Sequence, residues 1–156
     1  MSLHFDFAIA CDLKPDTPQQ ILDTLSYMTR AEEYAFSSPP NHPFFEGDSW
    51  RDILRAKSEQ TYLPGDLIGS FRKAHRYEVG SEKLHWYTIC FRCYLIDDVF
   101  YEMWWLLAEW LLLHSETEGY VGYYREEYSS HPTLIYFKDN AVCIHEMTGT
   151  PVPIRS

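Results

Sequence analysis

The sequence predicts an α+β fold, and three observations carry that prediction. The stretches "HFDFAIACDL" (4–13) and "KLHWYTICFRCYLIDD" (83–98) alternate apolar and mixed residues with the period of two that a half-buried strand requires. The stretch "DDVFYEMWWLLAEWLLLHSE" (97–116) is long, apolar and free of glycine and proline, as a buried helix must be. Between the first and second strand regions, Ile21, Leu22, Leu25, Tyr27 and Met28 recur at helical spacing.

Taken in order, the first strand places Phe5, Phe7, Ile9 and Cys11 on one face and His4, Asp6, Ala8 and Ala10 on the other. The helix after it is expected to use Asp16 or Thr17 as N-cap, with Pro18 at its first position, and to end near Glu33. Residues 35–50, "AFSSPPNHPFFEGDSW", carry adjacent prolines and Gly47 and read as a loop rich in aromatics. A short helix is expected over 49–59, capped by Asp48 or Ser49. Strands follow at 66–79 and 83–96, joined by "GSEK".

The long helix is expected to start at Asp97 or Asp98, whose carboxylates suit its positive end, and to be stopped by Gly119. A strand over 119–128 and a hairpin over 133–147, turning at Asp139-Asn140, complete the order. The first six major elements, β-α-β-β-α-β, correspond to a ferredoxin-like split βαβ core. The Pro-rich loop with its short helix is then an insertion, and the C-terminal β-hairpin an extra. The length of 156 residues fits a single α+β domain over 1–150, with a short Pro-containing tail over 151–156.

Composition narrows the function classes. The formal charge is −10, and no run of Lys or Arg occurs. Nucleic acid and anionic membrane surfaces both ask for the opposite sign, so neither is expected as a partner. The long helix is interrupted by Glu102 and Glu109 and is too short to span a bilayer, which takes about 20 apolar residues. The N-terminal residues lack a basic stretch followed by an apolar one. The four cysteines are therefore expected as reduced thiols in a cytoplasmic protein.

No nucleotide-binding, hydrolase or zinc motif is present, and no cofactor or metal is expected. Cys90 and Cys93 have Cys-x-x-Cys spacing, but in a strand positions i and i+3 point to opposite faces, so the two thiols cannot share a ligand.

Two functional expectations remain. The long helix is apolar around most of its circumference, which suggests either a helix enclosed by its own chain or an oligomer contact through Trp104, Trp105 or Trp110. On that basis the chain is expected to act through protein contacts, as a homodimer, adaptor or inhibitor, with a second copy or another protein as partner.

The alternative is a small-molecule-binding protein or small enzyme. It would use the sheet face that carries Asp6, Trp86, Cys90, Arg92 and Tyr94, with Arg72 from the neighbouring strand. The 35–48 loop, with His42, would be its lid. Arginine and aromatic planes there would suit a small anionic ligand.

Overall fold

The computed structural model describes residues 2–30, 38–55, 64–77 and 83–154. Its elements are β1 (His4–Asp12), α1 (Gln19–Thr29), β2 (Ile68–Tyr77), β3 (Lys83–Ile96), α2 (Asp97–Leu112), β4 (Gly119–Glu126), β5 (Thr133–Lys138) and β6 (Ala141–Glu146). The fold is mixed α+β: a six-stranded antiparallel sheet with two helices, in the order β2-β3-β1-β4-β5-β6. This order has two strands more than the plain four-stranded arrangement, because the β5–β6 hairpin extends the sheet in its own plane.

Alternation decides what each sheet face does. Phe5, Phe7, Ile9 and Cys11 of β1, and Ile89, Phe91, Cys93 and Leu95 of β3, are buried on one face. Both helices cover that face. Phe5 stacks on Phe100 of α2 at 3.9 Å between ring centres, and Phe7 meets Phe100 and Trp104 edge-on. Gly69 of β2 lies against the backbone of Leu54, and a Cβ there would fall 2.2 Å from that carbonyl oxygen, so only glycine lets this segment close onto the strand.

α2 explains its own composition. Phe100 and Leu107 face the sheet and are buried. On one flank Trp110 stacks on Phe44 at 5.8 Å and meets Phe45 edge-on at 4.7 Å. On the other, Trp104 packs against Tyr124 at 4.8 Å, and the helix touches β6. With neighbours on three sides, a helix can be apolar around most of its surface without crossing a membrane. Among the described residues no helix is long and apolar enough to do so.

Several boundaries differ from expectation. The short helix expected over 49–59 is a 3-10 turn at Ser49–Arg51, with residues 56–59 outside the described ones. α1 ends at Thr29, and Pro18 holds the cap position expected for Asp16 or Thr17. Ile96 caps α2, and Asp97 is its first residue; the Asp97 carboxylate accepts from the Asp98 N–H at 3.0 Å. α2 stops at Leu112, well before Gly119. His114 and Ser115 fold back onto Leu111 and Leu112, and Ser115 then bridges to Leu13 at the end of β1. The "GSEK" connection falls mostly outside the described residues.

Candidate functional site

Away from the helices, the registers set Asp6 opposite Tyr94, Ala8 opposite Arg92 and Ala10 opposite Cys90. Asp6, Arg92 and Tyr94 meet there. Asp6 is only 2% exposed. The Arg92 guanidinium grips its carboxylate with both arms, Nε to Oδ1 at 2.9 Å and Nη2 to Oδ2 at 2.8 Å. Those hydrogen bonds raise the Arg92 pKa further, so the cation is permanent.

Tyr123 of β4 donates its hydroxyl to Asp6 at 3.3 Å. Burial pushes its phenol pKa up, and the Asp6 charge adds to that. Arg125 stands 3.9 Å from the same carboxylate.

The same cation latches the incoming turn before β2. Arg92 donates from Nη2 to the Pro64 carbonyl at 2.8 Å and from Nη1 to that of Asp66 at 3.3 Å. Tyr94 donates its hydroxyl to the carbonyls of Pro64 and Gly65, both at 3.1 Å, and lies beneath the guanidinium. Gly65 has a φ of +97°, and a Cβ there would sit 2.3 Å from Arg92 Nη1. Most of the five Arg92 N–H donors are thus spent inside the chain, which leaves little for an anionic ligand.

The remaining candidates scatter. Cys90 is exposed, two residues from Arg92 or about 7 Å along β3. Trp86 lies six residues away, about 20 Å. Arg72 pairs with Thr88, whereas Arg92 pairs with Ile68, so Arg72 is about 13 Å along β2 from the cluster.

His42 is a correction. It does not sit over this face but in the helical layer, with Nε2 3.9 Å from Glu109 of α2 and Nδ1 accepting from the Phe44 N–H. The lid expected of residues 35–48 is likewise corrected over its described part, 38–48. Phe44 and Phe45 bury against the apolar flank of α2 because the opposite sheet face offers them polar groups instead.

Trp110 is also corrected. At 3% exposure it belongs to the core, where its indole N–H has no partner among the described residues. Trp104 is partly buried, and Trp105 is 48% exposed.

Sequence reasoning missed Tyr123 and Arg125. A bulge between Tyr120 and Gly122 inserts Val121, so alternation counted from the start of β4 puts them on the wrong face.

A second surface lies along the outside of α2. Trp105, Glu109 and Leu113, together with Val142 and Ile144 of β6, line a groove of about 490 Å³. Trp105, Leu113 and Ile144 are each about half exposed. β6 is a sheet edge, and among the described residues nothing pairs with its outer side. The other edge, β2, displays Arg72 and Lys73, charges that discourage strand addition.

Among the described residues no three His, Cys, Asp or Glu side chains converge to hold a metal ion. Compared with family models, with curated proteins and with solved structures, the chain matches none.

Proposed function

We propose that this chain acts through protein contacts rather than catalysis, and that it self-associates through the outer surface of α2 and β6. The observation that carries the reading is the half-exposed trio Trp105, Leu113 and Ile144, gathered on one groove beside an unprotected strand edge. Large apolar side chains grouped at a groove are the usual anchors of an interface. The ligand-binding alternative has less support, because the cation that would hold an anion is bound to Asp6.

The finer fold reading, a ferredoxin-like unit formed by the first four strands and two helices, is supported by their order β2-β3-β1-β4. That fold serves many unrelated functions and adds nothing to the functional argument. Four unpaired thiols agree with a reducing compartment such as the cytoplasm.

Light scattering of the whole chain over a range of concentrations tests the proposal. The expected result is a dimer that Trp105→Glu converts to a monomer of unchanged circular dichroism. A wild-type chain that stays monomeric throughout removes the reading.

A further inference from the structure

We infer that the occupant of the β6 edge is residues 150–154 of a second copy, added as a strand with Val152 and Ile154 in the groove beside Trp105. The inference rests on the self-association reading above and names the contact that would carry it.

The first support is the edge itself, unpaired on its outer side among the described residues. Asp139 and Asn140 have φ of 52° and 59°, a two-residue turn of the type that makes Lys138 and Ala141 a hydrogen-bonded pair. Hydrogen-bonded positions alternate along a ladder, so Ala141, Cys143 and His145 bond to β5. The backbone groups of Val142, Ile144 and Glu146 then point outward. Ile144 lies opposite the buried Ile135 and lines the groove, so the side chains at these outward-bonding positions belong to the helical face.

The second support is the residue pattern after β6. In an extended strand, alternate residues direct their N–H and C=O to opposite edges. Pro151 and Pro153 fall on one edge and lack donors. Thr150, Val152 and Ile154 fall on the other and keep theirs. This segment therefore has one competent edge, and two of its three competent positions, Val152 and Ile154, carry apolar side chains.

Opposed residues in a ladder share a face. Pairing that edge antiparallel with Val142, Ile144 and Glu146 puts Val152 and Ile154 on the groove side. The hydrogen-bonding parity and the apolar parity agree, and a shift of one residue would break both at once.

Exposure and charge point to a second copy. Within its own chain the segment leaves β6, the Gly149 carbonyl meeting His131 at the start of β5, and Val152 and Ile154 stand 83% and 101% exposed. The groove side carries Glu109, Glu126 and Glu146, while residues 147–156 hold Arg155 and no acid. In a chain of charge −10, that is a stretch a second copy can bring to this rim with little repulsion. Exchange of an identical segment between two copies is a low-cost route to a dimer.

The test is sedimentation of the whole chain carrying Val152→Pro and Ile154→Pro. These changes remove two donors at positions so exposed that the fold does not depend on them. The expected result is a dimer dissociation constant raised by at least about tenfold. Pro151→Ala with Pro153→Ala should leave it unchanged.

If the proline variant dimerises like wild type while Trp105→Glu is monomeric, this inference fails and the proposed function stands. A monomeric wild type with unprotected 150–154 amides sinks both. A monomeric wild type whose Val152 and Ile154 amides resist hydrogen exchange assigns the edge to the chain's own segment and overturns the second copy.

Discussion

Arg92 holds both carboxylate oxygens of the buried Asp6, at 2.9 and 2.8 Å, and the same guanidinium holds the turn at Pro64. One cation thereby joins β1 and β3 to the entry of the edge strand β2. Removing it leaves a buried carboxylate with the Tyr123 hydroxyl and with Arg125 at 3.9 Å.

Arg92→Ala is expected to lower unfolding stability by about 3 kcal/mol, the scale for breaking a buried pair from one side. Arg92→Lys should recover little, because an ammonium cannot bridge two carboxylate oxygens and the turn together. Urea denaturation measures both, and a loss under about 1 kcal/mol for the alanine variant would contradict this account.

Gly65→Ala should cost more than a left-handed glycine ordinarily does. The backbone penalty of about 1 kcal/mol is joined by the collision with Arg92 Nη1, so the latch must loosen. In the Arg92→Ala background that collision is absent. A double-mutant cycle should show the two changes coupled, and strict additivity would disprove the contact.

Thiol chemistry should divide the four cysteines evenly. Cys90 and Cys143 are exposed and are expected to alkylate in the folded chain at pH 8, whereas Cys11 and Cys93 are buried and are not. Burial pushes the Cys11 thiol up to about 12 and raises Cys93 as well. Both folded values lie above the unfolded ones. Their contribution to stability is therefore complete below about pH 9 and declines as pH rises through the Cys11 value. Mass spectrometry after iodoacetamide reads the labelling. Modification of Cys93 as fast as Cys90 would show the strand faces misassigned.

The legible and illegible parts of this molecule separate by physical cause. The shared face of Asp6, Arg92 and Tyr94 follows from period-two alternation, because a strand has no other way to arrange its side chains. The Asp139-Asn140 turn is legible for a similar reason, since few residues accept two successive positive φ angles.

Tyr123 and Arg125 are hidden by a single inserted residue, Val121, which no local pattern announces. His42 and Trp110 are hidden for a different reason. A proline-rich loop has no periodicity to say which layer it joins, and the choice was made by where Phe44 and Phe45 found apolar neighbours. The early end of α2 is likewise a tertiary effect, set by the bridge between Ser115 and Leu13.

The enclosure of α2 on three sides has a consequence in time. Its central amides, near Leu107 and Leu111, have no local opening available, since sheet, loop and hairpin must all let go together. Their hydrogen exchange therefore keeps the clock of global unfolding. Immediately beside them β6, paired within its own chain on one side only among the described residues, exchanges on a local clock. The ratio of the two rates, taken on one sample, separates an event at the groove from a change in the stability of the whole chain.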